Sequence, residues 1–225
     1  MASPVILCGS ISRLAGLLGR SLHEAGYRAL GLPFVYVPFE VLDLAGAMAG
    51  VRALGIRGLG VSHPYKQAVR AHLDAVDPVA ARIGAVNTVV HGEGRLVGYN
   101  TDGLGAVRAL EEVRALKDAR VLLVGAGGAS RAIALGLHDR GARVTIANRD
   151  VARAESLAGE TGAAAAGLDE ASRAGAYEVV IHATTLGQAG SGPVPIPEDA
   201  LHAGQVVMDI VYKPMPTALF QAAQR

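Results

Sequence analysis

Between Val121 and Arg131 an apolar run, Val121-Leu122-Leu123-Val124, passes directly into Gly125-Ala126-Gly127-Gly128-Ala129-Ser130-Arg131. This buried-strand pattern, glycine turn and alanine-rich helix form the signature of a site that holds a dinucleotide pyrophosphate. Gly125 permits the tight turn, and Gly127 lets backbone approach phosphate. The amides of Gly128 and Ala129 then open a helix whose unpaired donors and positive dipole end favour negative charge. Ser130 stands where a third glycine is usual and is still small. Glycine turns also join strands to helices for purely structural reasons, so the turn alone does not assign a function.

The next strand strengthens the reading. Ala142-Arg143-Val144-Thr145-Ile146-Ala147 ends in Asn148-Arg149-Asp150-Val151-Ala152-Arg153. In NAD-selective domains this strand tip carries an acid that accepts from the ribose 2′-hydroxyl. An amide and two arginines stand there instead, which favours a 2′-phosphate and therefore NADP. Arg149 and Arg153 would each contribute about 1.5–3 kcal/mol through charge-assisted bonds, enough to select NADP about tenfold or more. Asp150 opposes this if it points inward, and both arginines also suit a solvated helix start.

Composition narrows the function class. The chain has 225 residues, 51% of them hydrophobic, enough for one large core or two modest ones. Lys and Arg number 21 against 20 Asp and Glu, which provides no basic field for nucleic acid. The uncharged stretch from Val179 to Pro197 is rich in Gly, Pro and Thr and unsuited to crossing a membrane. Cys8 is alone, so no internal disulfide is expected, and its apolar run Val5-Ile6-Leu7-Cys8 makes it a core residue. Met1-Ala2-Ser3-Pro4 leads into this run as a first strand and not as a signal peptide. A cytoplasmic protein acting on small molecules, monomeric or homodimeric, is the expectation.

Apolar strand patterns alternate with helical ones along the chain, predicting an α/β fold with parallel sheets covered by helices. Strands are expected at Val5–Cys8, Phe34–Pro38, Gly58–Val61, Asn87–His91, Leu96–Tyr99, Arg120–Val124, Arg143–Ala147, Glu178–His182 and Gln205–Ile210. Gly92-Glu93-Gly94 separates two of these and suggests an antiparallel hairpin. Ala163 to Ala166 is bland enough to be a poorly specified edge. From Asp102 a helix with Leu104, Val107, Leu110 and Val113 on its apolar stripe leads into the dinucleotide strand. The domain boundary is placed there: residues 1–103 as an α/β substrate domain, 104–225 as a Rossmann-type dinucleotide-binding domain, with the cleft between them.

Polar residues of the front half cluster in Gly60-Val61-Ser62-His63-Pro64-Tyr65-Lys66, Ile83-Gly84-Ala85-Val86-Asn87-Thr88-Val89-Val90 and Gly98-Tyr99-Asn100-Thr101-Asp102-Gly103. With the glycine turn, Asn148-Arg149, Ala183-Thr184-Thr185-Leu186-Gly187 and Asp209-Ile210-Val211-Tyr212-Lys213-Pro214, this order resembles the shikimate dehydrogenase family over essentially the whole chain. The resemblance implies a catalytic pair, Lys66 and Asp102, and substrate contacts from Ser62, Asn87, Asp102 and Tyr212. It also implies NADP bound by Gly125, Ala126, Gly127, Gly128, Ala129, Asn148, Arg149, Arg153 and Thr184. The expected reaction is NADP-dependent, reversible oxidation of a secondary alcohol of shikimate or a related cyclic hydroxy acid. Elementary chemistry agrees: as hydride leaves carbon a proton must leave oxygen, and a lysine beside the hydroxyl can shuttle it while stabilising alkoxide charge. Without the family pattern, Lys66 would read as the start of a surface helix after Pro64 and Asp102 as a helix cap.

Departures from the family bear on the substrate. Where most members carry a Ser-x-Ser pair for a carboxylate, Leu17 and Gly19 stand here, with Arg20, Ser21 and Ser12 as possible replacements. Two bonds to a charged carboxylate, at about 1.5–3 kcal/mol each, are worth roughly a hundredfold to ten-thousandfold in affinity. Ser62 and Gly60 also replace the family's usual threonine and asparagine. These changes look more like the shikimate dehydrogenase-like paralogues, with quinate or aminoshikimate as further substrates and an NADP-binding sensor without turnover as the alternative. Methylene-tetrahydrofolate dehydrogenase chemistry shares a lysine but fits Tyr99-Asn100-Thr101-Asp102-Gly103 poorly. Family members continue beyond Pro216-Thr217-Ala218-Leu219-Phe220 with helices that return to the first domain and bring a substrate-binding glutamine. This chain stops at Arg225, so exposed apolar surface on the first domain is expected.

The histidines His23, His72, His91, His138 and His202 lack metal-ligand spacing, and no metal is expected. His63 is read as a loop residue, Tyr36 and Tyr65 as packing residues. His182 replaces a family asparagine and is placed only at the strand end, where it could line the cofactor cleft.

Overall fold

A computed structural model describes residues 4–187 and 192–225. The Met1–Ser3 opening, read as leading into the first strand, lies outside them, as does the part of the uncharged stretch at 188–191. The chain divides into two compact units, Met1–Thr101 and Asp102–Arg225.

The first unit contains β1 (Ile6–Ser12), α1 (Leu17–Ala29), β2 (Phe34–Glu40), α2 (Leu44–Ala53), β3 (Gly58–Val61), β4 (Ala75–Val76), α3 (Pro78–Ile83), β5 (Thr88–Gly92) and β6 (Arg95–Tyr99). They form a six-stranded sheet in the order β2-β1-β3-β5-β6-β4. The expected parallel sheet is corrected here to a mixed one: β1 runs parallel to β2 and β3, while β5 is antiparallel to both β3 and β6. The cause is the hairpin the sequence signalled. Its turn residues Glu93 and Gly94 both take positive φ, 52° and 74°, a geometry that matches the twist of antiparallel strands. Reversal at β5–β6 then leaves β5 antiparallel to the β1–β3 set. The two-residue β4 carried no sequence signal and exists through tertiary contacts. Asp74, just before it, accepts from the Leu96 amide at 2.6 Å and from Arg52 at 2.8 Å.

Asp43 caps α2 by accepting from the Gly46 amide, and Asp77 caps α3 from the Val79 amide, with Pro78 pre-set at the first helical position. The core under the sheet gathers Ile11, Met48, Leu59, Val69, Val86, Val89 and Leu96, all nearly inaccessible to solvent. Cys8 is buried, as its apolar run implied.

The second unit contains α4 (Asp102–Glu111), β7 (Arg120–Val124), α5 (Gly128–His138), β8 (Arg143–Asn148), α6 (Val151–Thr161), β9 (Ala164–Gly167), β10 (Val179–His182), β11 (Val206–Asp209) and α7 (Ala218–Gln224). Its five strands are all parallel, in the order β11-β10-β7-β8-β9. The alternating side chains of β7 serve two cores at once. Val121 and Leu123 pack with Val107, Leu137 and Ile181 on one face, and Leu122 and Val124 pack with Ala171, Val180 and Leu219 on the other. Each such burial is worth about 1.5–3 kcal/mol relative to exposure, which is why a central parallel strand reads as an unbroken apolar run. The bland alanine segment becomes β9, an edge strand.

Helix α4 corrects the apolar stripe in part. Val107 and Leu110 are buried, but Leu104 and Val113 are exposed, and Val113 lies beyond the helix. The face that meets α5 is built from glycine instead. A Cβ on Gly103 would lie 2.2 Å from the Ala132 carbonyl oxygen, and one on Gly136 would lie 2.8 Å from Val107. Absence of side chains at these positions lets the two helices approach at backbone distance.

Candidate active site

The glycine turn forms the floor of a cleft of about 460 Å³ in the second unit. Gly125, Ala126, Gly127, Gly128 and Ala129 line it together with Asn148, Arg153, Ala183, Thr184, Thr185, Ile210 and Val211. These residues come from the carboxyl ends of β7, β8, β10 and β11, where ligands of parallel α/β sheets collect. Gly125 takes φ +121°, and a Cβ there would lie 2.5 Å from the Ala183 carbonyl oxygen. Only glycine fits. At Gly127 and Gly128 an added Cβ would meet nothing within 4 Å, so the space in front of the turn is open. No side chain caps α5: its first residue follows Gly127, which has no capping oxygen to offer. The amides of the first turn are thus directed at a bare cradle, which suits a pyrophosphate.

Arg153 reaches the cleft, and its guanidinium lies 3.3 Å from Asp150. The aspartate therefore orients this arginine and does not occupy the cleft. Asn148 is fixed by donating to the Asp150 carbonyl at 2.9 Å. Arg149 is exposed and is not among the residues lining the cleft. Ser130 is completely buried and donates to the Ala183 carbonyl, so the residue in the third glycine position closes the turn against β10.

His182 does not line the cleft but sits, fully buried, behind it. One ring nitrogen lies 2.9 Å from Asp209 and the other 2.6 Å from the Thr184 hydroxyl. Asp209 also accepts from the Val211 amide and the Thr217 hydroxyl. Burial alone would raise the Asp209 carboxyl, but the bonds from His182, Thr217 and Val211 outweigh it and hold the group below the usual carboxylate range. Sequence reading missed the partnership. Its signal is a histidine and an aspartate at equivalent ends of adjacent strands, paired in register. Tyr212, two residues past Val211's neighbour Ile210, is exposed.

In the first unit, backbone bonds draw the polar segments together. The Val61 amide donates to the Asn87 carbonyl, the Val86 amide to the Lys66 carbonyl, and the Asn87 amide to Tyr99. Ser62 follows β3 and is exposed; Lys66 is half-buried. Lys66 lies in a turn before a short 3-10 helix over Ala68–His72, and not at the start of a surface α-helix. The Asn87 side chain accepts from the Thr101 amide and the Thr88 hydroxyl and donates to the Thr101 hydroxyl, which fixes its amide plane. Asp102 follows Thr101 and is the first residue of α4. Tyr65 is buried and donates to the Val41 carbonyl, a packing role. Tyr36 is also buried, stacked on His23 at 4.4 Å, with its hydroxyl facing Gly19 and Gly60.

A wider depression of about 960 Å³ runs beside α7, and several of its polar residues are engaged structurally. Arg225 pairs with Glu198, and Gln205 donates to the Ala174 and Tyr177 carbonyls. The described residues contain no cluster of three or more metal-ligating side chains and no helix long and apolar enough to cross a membrane.

Two family models match the chain: the shikimate dehydrogenase substrate binding domain over residues 18–89 and shikimate / quinate 5-dehydrogenase over residues 108–189. A curated shikimate dehydrogenase (NADP(+)) of Haloarcula marismortui is 47% identical over 212 residues, covering 92% of this chain and 78% of the relative. Among solved structures, the Thermus thermophilus shikimate 5-dehydrogenase in complex with NADP(H) and shikimate superposes with a TM-score of 0.86 at 36% identity, covering 98% of this chain and 83% of that one. A Corynebacterium glutamicum quinate dehydrogenase in complex with NAD superposes at 0.84 and 34% identity, covering 98% and 85%. The chain belongs to the shikimate dehydrogenase family.

Proposed function

We infer that this protein is an NADP-dependent oxidoreductase that interconverts a secondary alcohol of shikimate, or of a closely related cyclic hydroxy acid, and the corresponding ketone. The observation that carries the reading is the uncapped glycine cradle at α5, flanked by Arg153 and Asn148 and lacking an acid at the β8 tip, in a chain that matches the family along both units. NADP bound there supplies the hydride acceptor in the oxidative direction. Gly125–Ala129 would hold the pyrophosphate, and Asn148 and Arg153 would meet the 2′-phosphate, with Arg149, exposed outside the cleft lining, as the lesser contributor. Thr184 lies on the cleft wall.

Lys66 and Asp102 carry the proton chemistry. As the alcohol carbon loses hydride, its hydroxyl proton passes to the lysine amine, and in the reverse direction the ammonium returns it to the forming alkoxide. In the role that the family pattern implies, Asp102 would orient the ammonium and a neighbouring substrate hydroxyl. Asn87, whose amide plane is fixed by Thr101 and Thr88, presents a rigid hydrogen-bonding group, and Ser62 and Tyr212 are the further substrate contacts that the family pattern implies.

The carboxylate end is where this chain differs. At Gly19 an added Cβ would lie 3.3 Å from the Tyr36 hydroxyl, and at Gly60 3.2 Å. Glycine at both positions offers no side chain to a carboxylate, which fits a substrate range wider than shikimate alone.

Absorbance at the reduced-nicotinamide band, read with NADP or NAD against shikimate, quinate and aminoshikimate, tests the assignment. Turnover with NADP and at least one of these acids is expected. Lys66→Ala should lower kcat about 10²–10⁴-fold, the usual contribution of a positioned acid–base group. Retained turnover in Lys66→Ala would overturn the mechanism, and NADP binding with silence on every acid would favour a sensor.

A further inference from the structure

The buried pair behind the cleft belongs to neither the pyrophosphate cradle nor the proton chemistry. Its hydrogen bonds can be followed atom by atom. Asp209 stays ionised and can only accept, so the His182 Nδ1–H donates to its Oδ1 at 2.9 Å. The Thr217 hydroxyl donates to Oδ2 at 2.8 Å and takes the Phe220 amide, the capping bond of α7. At the other end, the Thr184 oxygen accepts from the Leu186 amide at 3.0 Å and lies 2.6 Å from His182 Nε2. In a neutral ring Nε2 is then bare, and the Thr184 hydroxyl donates to it, away from the cleft.

We propose that His182 is a positioning residue for NADP: as a neutral ring anchored by Asp209, it holds the Thr184 hydroxyl so that only its oxygen lone pair faces the cleft. Thr184 then accepts from a ligand N–H or O–H and gives nothing to a phosphate oxygen. The same ring ties the two strands whose following residues, Ala183–Thr185 and Ile210–Val211, line that side of the cleft. The ligand group that meets Thr184 is therefore a hydrogen-bond donor of the dinucleotide, an amide or a sugar hydroxyl. Recognition at this wall is separate from the anion recognition at the glycine turn and Arg153.

This inference rests on the NADP reading, and its test separates the two. NADPH binding is followed by the cofactor's own fluorescence, without substrate. An asparagine at 182 keeps a donor for Asp209 but is too short to reach Thr184, whereas glutamine keeps an acceptor near the Nε2 position. His182→Asn is expected to weaken NADPH binding about fivefold to tenfold, the worth of one lost bond, and Thr184→Val to do the same. The double variant should be no weaker than either single one, because both remove the same contact. His182→Gln should recover part of the loss. Additive losses, or a His182→Asn variant within about twofold of wild type, would overturn the proposal; a purely structural pair would lower Tm and leave NADPH affinity unmoved. Wild type that binds no NADPH would overturn the cofactor reading as well. Nitrogen-15 histidine spectra of the unliganded wild type give a second arm that needs no folded variant at 182. They should show His182 protonated at Nδ1 and bare at Nε2; the opposite tautomer, or protonation at both, would overturn the assignment.

Discussion

Helices α1 and α5 each follow the first strand of their unit's parallel set, yet they meet their sheets in opposite ways. α5, 11 residues long, buries Ser130, Ala132, Ile133, Ala134, Leu135 and Leu137. α1, with 13 residues, buries none. It is held to β2 through ring contacts, His23 stacked on Tyr36 and Tyr27 edge-on to Phe34 at 5.2 Å. Its leucines Leu17, Leu18 and Leu22 stand 70%, 47% and 65% exposed. The difference shows what sets rigidity at each site. The dinucleotide turn is mounted on a helix with six buried residues, against which the glycines of α4 and α5 let α4 close. The helix that carries Leu17 and Gly19 rests on its sheet through rings, with Tyr27 also bonded to Cys8 of β1, and is the less deeply seated of the two.

The largest effect should come from prising open the tightly packed side. Gly103→Val puts a branched side chain where even a Cβ would lie 2.2 Å from the Ala132 carbonyl oxygen. Backbone cannot yield as a flexible side chain would, so α4 must move off α5. A loss of about 3 kcal/mol in urea-induced unfolding is expected, at the upper end for overpacking. A variant as stable as wild type would show that α4 is not clamped, and the contrast with α1 would weaken.

Next in size is cofactor choice. Arg153 is the guanidinium that reaches the cleft, while Arg149 is exposed outside it. Arg153→Ser should reduce the preference for NADP over NAD, read as the ratio of kcat/KM values, about tenfold, the worth of one charge-assisted bond. Arg149→Ser should do less. Equal losses would mean that the two arginines share the phosphate evenly.

Much of this architecture was legible in the chain. Strand β3 and strand β7 fall on the boundaries that their apolar runs suggest, because each run ends at a residue that changes backbone geometry or polarity. The hairpin was legible from Gly92-Glu93-Gly94, although its consequence for β3 and β5 was not, since strand direction across a sheet is a long-range property. β4 escaped because Ala75 and Val76 are too short a pattern to register; their strand is fixed by Asp74 reaching Arg52 and Leu96. In the cleft, the glycine turn and Asn148 follow from local pattern, and Thr184 from the family resemblance. The His182–Asp209 contact spans 27 positions of chain, and only the parallel register of β10 and β11 brings the two together.

That contact should also give the second unit an acid sensitivity. The Asp209 carboxyl is held below its ordinary range in the folded state, so its contribution to stability is complete at neutral pH and is lost as pH falls through the folded value. The urea midpoint of wild type should therefore exceed that of Asp209→Asn at neutral pH, and the gap should shrink as the solution is acidified below the usual carboxylate range. A constant gap would mean that the asparagine variant loses shape and not charge.

The smallest stability effect is expected where the comparison began, on α1. Leu22→Lys exchanges a 65% exposed leucine for a charge on a helix with no buried residue. If this face is solvated as it stands, stability should change by no more than about 0.5 kcal/mol, the range of surface substitutions. Binding of a hydrophobic dye should fall slightly, because Leu22 is one of three exposed leucines on this helix. A loss of several times that size would show that Leu22 is covered in solution, and then α1 would be as firmly seated as α5.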